Sequence, residues 1–291
     1  MEIIDVEING NYEPLVSVLM TAYNREIFIK ESVESVIHST YKNIELIIVD
    51  DGSTDNTIDV VKALMLNDKR IKLFQNENNL GDYPNRNKAA GYAIGKYMLY
   101  VDSDDTIQPD AIEYCVKNLE LHSTSDFSVI YPHQDVQSPQ LLNATTAIRK
   151  HFFEKSFLNL GPGGVVFKRD FFFSNDMYSI KFGPANDLYS HLKFASNGNV
   201  LLLPYRYLNY RIHEGQESTN KYRYLYLNQN YINGVFEDLN LPLSTKEKRQ
   251  TKKRYSRNNF ITIIKYILKT GNLMKGISAV RKANFSFSDL L

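Results

Sequence analysis

Three carboxylates fall within four positions of the segment YMLYVDSDDTIQPDAI, residues 97–112. Asp102, Asp104 and Asp105 follow directly on the apolar run at residues 97–101, which predicts a buried strand that ends at this cluster. Carboxylates this close raise one another's pKa unless a cation or solvent compensates their charge. In extended backbone Asp102 and Asp104 face the same side, and two hard oxygen ligands with open positions suit Mg²⁺ or Mn²⁺. The segment therefore indicates either a divalent cation site or a solvated turn.

The segment VDDGSTDNT, residues 49–57, follows a second apolar run and contains another acidic pair. A turn between a strand and a helix accounts for Gly52, which supplies backbone freedom, and for the hydroxyl side chains after it, which cap helices. One of Asp50 and Asp51 can be absorbed into the hydrogen bonds of that turn. The other is then free to accept a hydrogen bond from a ligand N–H group, so a structural and a ligand-binding interpretation both stay open.

Three more polar side chains have two interpretations each. Arg86 in GDYPNRNKAAG stands near a predicted helix start, where a guanidinium is either solvated or suited to a diphosphate or ribose. Asp187 in GPANDLYSHL is a single acid at a helix start, where acidic residues are common. His213 in YRIHEG follows a strand, and a lone histidine is more often structural than a ligand. None of the three indicates a function by itself.

The acidic clusters follow strands that alternate with helices along the first hundred residues. Apolar runs and helical periodicity predict the order β-α-β-α-β-α-β, which implies a parallel sheet covered by helices on both faces. Ligands bind such sheets outside the carboxyl ends of the strands, where the polar segments TAYN, DDGSTD and DSDD stand. The predicted strands are 15–21, 44–49, 71–74 and 97–101, and the predicted helices are 27–38, 54–66 and one that starts near Pro84.

After residue 110 the predicted elements are mixed, and after about residue 216 they are helical. The basic segment KEKRQTKKR, residues 246–254, precedes a stretch with apolar residues on one helical face. Such a stretch is typical of a helix packed on a domain and also of a peripheral contact with an anionic membrane. No nucleic-acid-binding signature accompanies the basic residues, so no nucleic-acid partner is predicted. We predict helices at 109–121, 186–195, 221–238 and 245–284, and strands at 127–131, 164–167, 200–203 and 205–210.

Length, charge and cysteine content limit the classes of protein to which this chain can belong. The chain has 291 residues, 43% of them hydrophobic, and a net charge of +1, which suits one large domain or a domain with a smaller appendage. Cys115 is the single cysteine, which excludes a disulfide framework. The N-terminal segment MEIIDVEINGNYEP contains acidic residues and is not typical of a signal peptide. We therefore expect a cytoplasmic protein, either free or peripheral on the inner face of the membrane.

The order of these segments resembles that of the family 2 glycosyltransferases, which are inverting enzymes with the GT-A fold. VSVLMTAYN is followed by ELIIVDDGSTDNT, by NLGDYPNRNKAAGYAIGKYMLYVDSDD with its DXD motif, by a Gly-Gly pair, and by ND and YRIH. The resemblance implies an α/β fold with a GT-A (Rossmann-like), mostly parallel central sheet and helices on both faces. It covers residues 15 to about 215, and we expect a GT-A domain at 1–215 and a C-terminal helical region at 216–291.

The resemblance also implies a role for each candidate residue. Asp51 would accept a hydrogen bond from the base, Arg86 would lie along the nucleotide, and Asp102 would approach the ribose or a metal-bound water. Gly163 and Gly164 would let backbone approach the sugar or the acceptor. The full set assigned to the nucleotide sugar is Thr21, Tyr23, Asn24, Asp51, Arg86, Asp102, Ser103, Gly163 and Gly164.

The remaining residues implied by the resemblance concern the metal and the proton transfer. Asp104 would bind Mn²⁺ or Mg²⁺, which bridges the diphosphate, and His213 would help to close that site. Asp187 would be the general base that deprotonates the acceptor hydroxyl. The family often has Glu where Asn186 stands, so this chain has one carboxylate at the position instead of two.

The predicted function is transfer of a sugar from a nucleotide-diphosphate donor to a hydroxyl of a glycan or lipid-linked acceptor. Among such donors we expect a UDP-sugar. Cell-surface polysaccharide biosynthesis is the pathway that the resemblance implies. One alternative is a nucleotidyltransferase on a related sheet, but TAYNRE stands where its Gly-rich loop would be. The other alternative is a non-catalytic sugar-binding module. The presence of all three candidate acids argues against it: Asp51, Asp104 and Asp187.

Overall fold

The computed structural model describes residues 6–8, 11–133, 135–213, 216 and 220–286. The chain divides into two units, each built from segments that are distant in sequence. The second unit combines the C-terminal region with two segments from the range assigned by resemblance to the GT-A domain. The first unit is Met1–Asn143, Leu160–Tyr178 and Gly198–Arg211, and the second is Ala144–Asn159, Ser179–Asn197 and Ile212–Leu291.

The strands of the described residues all belong to the first unit. Eight of them form one sheet in the order β5-β4-β3-β6-β10-β8-β11-β9, in which only β10 and β9 run against the common direction. The predicted mostly parallel sheet is therefore confirmed. The strands are β1 (Val6–Ile8), β2 (Asn11–Glu13), β3 (Val16–Ala22), β4 (Ile44–Asp50), β5 (Ile71–Gln75), β6 (Tyr97–Tyr100), β7 (Thr106–Ile107), β8 (Phe127–Ile130), β9 (Gln140–Leu142), β10 (Val165–Lys168), β11 (Val200–Leu203) and β12 (Leu208–Asn209).

Helices occur in both units. Helices α1 to α4 and α6 belong to the first unit, and α5 and α7 to α10 belong to the second. None in the described part of the chain is long and apolar enough to cross a membrane. They are α1 (Ile29–Ile37), α2 (Thr57–Met65), α3 (Asp82–Gly91), α4 (Ala111–Leu121), α5 (Ala144–Arg149), α6 (Arg169–Ser174), α7 (Asn186–Asn197), α8 (Lys221–Asp238), α9 (Thr245–Thr270) and α10 (Leu273–Lys282).

The central strands are buried on both faces, as their continuous apolar sequences predict. All seven residues of β4 are buried, and this includes the single acidic residue within its apolar run, Glu45. Glu45 accepts hydrogen bonds from Ser17 Oγ and from the Ile94 N–H, and its Oε2 lies 2.7 Å from Lys72 Nζ. These partners compensate its buried charge. The sheet register sets Ala22 opposite Asp50, so β3 and β4 end together at one edge of the sheet.

Two predicted elements differ from the structure. The continuous helix predicted at 245–284 is two helices, because Gly271 adopts a left-handed conformation with φ 66° and ends α9. The side chain of Asn272 then caps the start of α10 by accepting a hydrogen bond from the Lys275 N–H. The strand predicted at 205–210 is only the two-residue β12, which pairs with β7 at the margin of the first unit.

The second unit contains two buried histidines that are held in complementary states. His151 Nδ1 accepts hydrogen bonds from the N–H groups of Phe157 and Leu158, whereas His191 Nδ1 donates to the Leu158 carbonyl oxygen at 3.2 Å. Burial lowers the pKa of His151 to about 3 and that of His191 to about 4. Both side chains are therefore neutral at pH 7. At moderately lower pH each of them gains a proton only when the unit unfolds.

Acid is expected to destabilise this unit below pH 6.5. An unfolded histidine has a pKa of about 6.5, so above that pH neither state binds the proton and stability does not depend on these groups. Below it the unfolded state binds more protons, and each histidine lowers the free energy of unfolding by about 2 kcal/mol at pH 5. Thermal denaturation between pH 7.5 and 5 measures the effect.

The control for this prediction is His151→Asn combined with His191→Asn. Asparagine keeps a polar atom at the Nδ1 position but does not titrate in this range. We expect the double variant to be less stable at pH 7.5 and to lose less stability than the wild type as the pH falls. An unchanged dependence on pH would contradict the assignment of the effect to this pair.

Candidate functional site

The candidate residues of the first unit gather at one edge of the sheet. Because β3, β4 and β6 are parallel neighbours, the segments that follow them emerge side by side. Strand β10 runs in the opposite direction, so the glycines that precede it reach the same edge. Predicted residues brought to this edge are Thr21, Tyr23, Asn24, Asp51, Arg86, Asp102, Ser103, Asp104, Gly163 and Gly164.

Asp50 is the acid that the turn after β4 absorbs. Its carboxylate accepts hydrogen bonds from the N–H groups of Gly52 and Ser53 and from the Ser53 hydroxyl. Asn24 ties the loop after β3 to the same turn, since its N–H donates to Ser53 Oγ and its Oδ1 accepts from the Thr54 N–H, both at 2.8 Å. The side chain of Asn24 thus has a structural function in this loop, while Tyr23 is 46% exposed.

Asp51 is buried and is not free, which differs from the sequence-based expectation. Its Oδ1 accepts from Asn76 Nδ2 at 2.7 Å and from the Leu80 N–H at 2.8 Å, and its Oδ2 accepts from the Gly81 N–H at 2.9 Å. Asn76 Nδ2 also donates to Asn85 Oδ1, so three polar side chains form one buried network. A carboxylate has about four acceptor positions, which leaves Asp51 one more.

Asn76 carries an unsatisfied acceptor in that network. Its Oδ1 atom is buried and has no hydrogen-bond partner among the residues that the structure describes. Buried polar atoms are rarely left in that state, because the loss of hydration is not compensated. Neither Asn76, which follows β5, nor Asn85, which lies in α3, was among the predicted site residues, because neither belongs to an acidic cluster.

Arg86 is buried beneath the edge of the sheet, unlike an ordinary exposed arginine of a helix. Its Nε lies 2.7 Å from Asp82 Oδ1, and its Nη1 lies 2.7 Å from Asp102 Oδ1. The guanidinium also lies over the rings of Tyr100 and Tyr83. Burial alone would lower the pKa of Arg86, but the charges of Asp102 and Asp82 raise it well above its usual value. Arg86 is therefore a fixed cation.

Asp102 is oriented by this cation. Burial raises the pKa of Asp102, and the charge of Arg86 opposes that shift. The side chain remains one-quarter exposed, so part of the carboxylate faces away from the arginine. This arrangement suits a group that contacts a ligand while its own position is held by the protein.

Asp104 pairs with a second arginine. Arg25 Nε lies 3.2 Å from Asp104 Oδ2, and Arg25 Nη1 donates to the carbonyl oxygens of Tyr23 and Asn24 at 3.1 and 3.2 Å. A cation thus stands beside the carboxylate that the resemblance assigns to the metal. Arg25 was not identified from the sequence, because TAYNRE alone does not show that its side chain turns toward the cluster after β6.

Asp105 is the third acid of the cluster and is buried. It accepts a hydrogen bond from the Arg211 N–H at 2.9 Å, and burial raises its pKa to about 7 despite that bond. Ser103 is also buried, and its carbonyl oxygen accepts from Ser32 Oγ. The three acids therefore have separate partners, although the charges of Asp102 and Asp104 still contribute to the raised pKa of Asp105.

The cluster fits a divalent cation that is coordinated by only one or two protein side chains. Within the described ranges no group of three His, Cys, Asp or Glu side chains is arranged to hold a metal ion. The available donors are Asp102 and Asp104, both hard oxygen ligands. Mg²⁺ and similar ions commonly bind through one or two carboxylates, with water and substrate phosphates at the other positions. The donor set fits that pattern, provided that Arg25 yields its place at Asp104.

The two glycines before β10 lie in a closely packed turn. A Cβ atom on Gly163 would stand 3.2 Å from the Leu208 side chain and 3.4 Å from the Tyr100 carbonyl oxygen. One on Gly164 would stand 2.2 Å from Leu160. A side chain at Gly164 would therefore have to displace Leu160, whereas one at Gly163 would need only a small shift of Leu208.

Asp187 and His213 belong to the second unit and are described with it. Asp187 lies in the first turn of α7, is partly exposed, and accepts a hydrogen bond from the Leu188 N–H. The neighbouring Asn186 is buried, and its Oδ1 accepts from the Phe182 N–H at 2.8 Å. The backbone N–H of His213 donates to Gln216 Oε1 at 3.2 Å.

Comparison with known proteins identifies relatives of this chain. The family model of Glycosyl transferase family 2 matches residues 17–179. The UDP-Glc:alpha-D-GlcNAc-diphosphoundecaprenol beta-1,3-glucosyltransferase WfgD of Escherichia coli is 30% identical over 214 residues, which cover 72% of this chain and 82% of WfgD. Two other curated relatives match more locally, over 33% and 40% of their own length.

Solved structures share the fold. The TarS 1-349 fragment of S. aureus in complex with UDP-GlcNAc aligns with a TM-score of 0.68 and 23% identity, over 91% of this chain and 79% of that one. The mannosyltransferase PcManGT from Pyrobaculum calidifontis, in complex with GDP-Man and Mn2+, aligns with a TM-score of 0.65 and 17% identity, over 96% and 78% of the two chains. At these identities the similarity concerns the fold.

Proposed function

The chain belongs to glycosyl transferase family 2, and we propose that it transfers a glycosyl group from a nucleoside-diphosphate sugar to a hydroxyl acceptor with inversion. The observation that carries the proposal is the buried cation Arg86, held between Asp82 and Asp102 at the edge where the parallel strands end. A fixed guanidinium at this edge suits an anionic nucleotide, because ligands of such sheets bind at the carboxyl ends of the strands.

The residues at the edge divide between the parts of the donor. Thr21, Tyr23 and Asp51 would hold the base and ribose, and the unsatisfied Asn76 Oδ1 offers a further acceptor for a base N–H. Asp102 would contact the ribose. Asp51 is held by hydrogen bonds and Asp102 by its ion pair with Arg86 before the ligand arrives, so binding does not require these two carboxylates to be ordered first.

Asp104, with Asp102 beside it, would hold Mn²⁺ or Mg²⁺ when the diphosphate is bound. A bound ion would supply Lewis-acid stabilisation of the negative charge that develops on the leaving diphosphate. Asp187 would accept the proton of the attacking hydroxyl, and His213 would contribute beside the metal or the diphosphate. Gly163 and Gly164 would line the path of the sugar.

The donor and the acceptor are proposed from the named relatives. WfgD and the TarS complex both involve UDP-sugars by name, so UDP is the first base to test. WfgD acts on a diphosphoundecaprenol-linked sugar by name, which favours a lipid-linked or glycan acceptor in cell-surface polysaccharide biosynthesis. A cytoplasmic location, with a peripheral membrane contact, agrees with such an acceptor.

The proposal predicts selective nucleotide binding. Thermal denaturation of the protein with UDP, GDP, TDP or CDP, each with and without Mn²⁺, should show stabilisation mainly by UDP. A ligand at about 100 times its Kd adds about 2.7 kcal/mol to the free energy of unfolding. Incubation with the matching UDP-sugar and an acceptor should release free UDP, whereas a nucleotidyltransferase would exchange pyrophosphate and a binding module would do neither.

The variant Arg86→Lys tests the observation on which the proposal depends. Lysine keeps the charge but lacks the planar fork that reaches Asp82 and Asp102 together, so we expect UDP affinity to fall at least about tenfold. Arg70→Lys is the matched control, because Arg70 also pairs with an acid of the first unit, Asp68, but serves no proposed ligand. Equal UDP affinity in wild type and Arg86→Lys would contradict the assigned site.

A further inference from the structure

The C-terminal helices of the second unit carry charge of one sign. Residues 248–282 contain eleven Lys and Arg and no Asp or Glu, although the whole chain has a net charge of only +1. The other 256 residues therefore have a net charge of −10. Solubility does not require such segregation, since interspersed charges serve it equally well. A segment of this kind favours contact with an anionic partner.

Helix α9 is apolar on two sides, and only one of them is used for packing. Ile263 is fully buried and packs with Leu225 of α8 and with α10. Ile261, Ile264 and Leu268 follow one another at helical spacing on another side, and all three are exposed, Leu268 to 79%. The packing of the second unit does not cover this side of the helix.

Helix α10 extends the exposed apolar surface. Gly276 and Ala279 face the packed interior, whereas Leu273, Met274 and Ile277 are exposed, Met274 to 78%. Leu268 and Leu273 stand on either side of the turn at Gly271 that joins the two helices. We name the exposed side chains together the apolar strip, which consists of Ile261, Ile264, Leu268, Leu273, Met274 and Ile277.

A basic cleft lies between α8 and α9 in the same unit. Its volume is about 420 Å³, and its lining includes Lys221, Lys265 and Lys269 together with Tyr224 and Tyr266. In the described part of the chain none of the three lysines forms an ion pair. Lys265 and Lys269 adjoin Ile264 and Leu268 in sequence, so ammonium groups stand beside the apolar strip.

We propose that this surface docks on a membrane that contains anionic phospholipids. The apolar strip would enter the headgroup region, and Lys221, Lys265 and Lys269 would bind lipid phosphates. An exposed apolar row with adjoining basic residues is the pattern of helices that lie in the membrane interface. A second copy of the chain is a poorer partner, because pairing this surface with itself would bring like charges together.

Vesicle binding by the full chain tests the proposal without any nucleotide. Cosedimentation should detect binding to equimolar phosphatidylcholine and phosphatidylglycerol, and at least about tenfold weaker binding to phosphatidylcholine alone, because each basic residue near an anionic surface contributes about fivefold in affinity. Raising NaCl from about 50 mM to about 500 mM should weaken the binding by screening. Equal binding to both vesicles, or none to either, would overturn the proposal.

Two double variants separate the parts of the surface. Ile264→Ser with Leu268→Ser removes two of the six side chains of the apolar strip, and Lys265→Glu with Lys269→Glu reverses the charge of two of the three lysines at the cleft. Each should lower affinity for the anionic vesicles at least about tenfold, since both the apolar and the electrostatic contributions are needed for stable interfacial binding. Because all four side chains are exposed, the fold should persist, and circular dichroism verifies it.

The control is Leu66→Ser with Lys69→Glu, which makes one substitution of each type at exposed positions of the first unit. It should bind anionic vesicles like the wild type. Undiminished binding by both surface variants would place the membrane contact elsewhere and overturn the proposal. A wild-type dimer in light scattering that both surface variants make monomeric, with no vesicle binding, would overturn it in favour of a protein interface.

Discussion

Replacing Asp104 with asparagine is expected to abolish the gain in UDP affinity that Mn²⁺ produces and to lower glycosyl transfer by about 10³-fold, which corresponds to the several kcal/mol that a metal contributes to stabilising developing charge. The physical reason is the small donor set of the site. Among the described residues of the cluster after β6, Asp102 and Asp104 are the carboxylates that are partly exposed, and Asp102 is already held by Arg86. Calorimetric titration with UDP, with and without Mn²⁺, measures the effect separately from turnover.

The matched control for this variant is Arg25→Gln. Asp104→Asn also removes the ion pair with Arg25, so a loss of activity alone would not distinguish a missing metal ligand from a disturbed loop. Arg25→Gln removes the same ion pair and keeps the carboxylate. We expect it to retain the Mn²⁺-dependent gain in UDP affinity. Retention of that gain by Asp104→Asn would show that Asp104 is not the metal ligand.

The fold, and the gathering of candidate residues at one edge of the sheet, could be predicted because both depend on local patterns. The apolar runs of β3, β4 and β6 are buried on both faces, and such continuous runs can be recognised in the sequence without knowledge of tertiary contacts. The acidic segments after β4 and β6 then had to reach the same edge, since parallel strands end together. The predicted family and fold class are confirmed for these reasons.

The partners of the charged residues could not be predicted, because they depend on side chains that are distant in sequence. Asp51 is held by Asn76 and by the backbone near Gly81, and nothing in VDDGSTDNT indicates this. Arg25 and Arg86 are both helix or loop arginines by sequence, yet each turns toward an acid of the DSDD segment. A one-dimensional pattern gives the type of a residue but not the direction of its side chain.

Local sequence patterns also could not predict which segments of the chain form the second unit. Helix α7 and the segment around His151 pack with the C-terminal helices rather than with the strands beside them in sequence. Such an assignment depends on contacts across about a hundred residues. The break of the last helix at Gly271 was readable, by contrast, since glycine is the residue that most readily adopts the left-handed conformation at a helix end.

Replacing Asp187 with asparagine is expected to preserve UDP-sugar binding and to lower the rate of transfer by about 10²–10⁴-fold, the range associated with a lost general base. The substitution keeps the size of the side chain and its acceptor oxygen, so the hydrogen bond from the Leu188 N–H at the start of α7 can persist. Titration with the UDP-sugar, set against single-turnover rates, separates the two effects.

In the proposed mechanism the chain has one carboxylate, Asp187, at the start of α7. Asn186 is buried, and its Oδ1 accepts a hydrogen bond from the Phe182 N–H, so its side chain is committed to the local structure. Asp238→Asn is the matched control, because it neutralises another acid of the same unit and should leave transfer unchanged. A wild-type rate in Asp187→Asn would refute the assignment of the base, whereas an equal loss in both variants would attribute the effect to the charge of the unit.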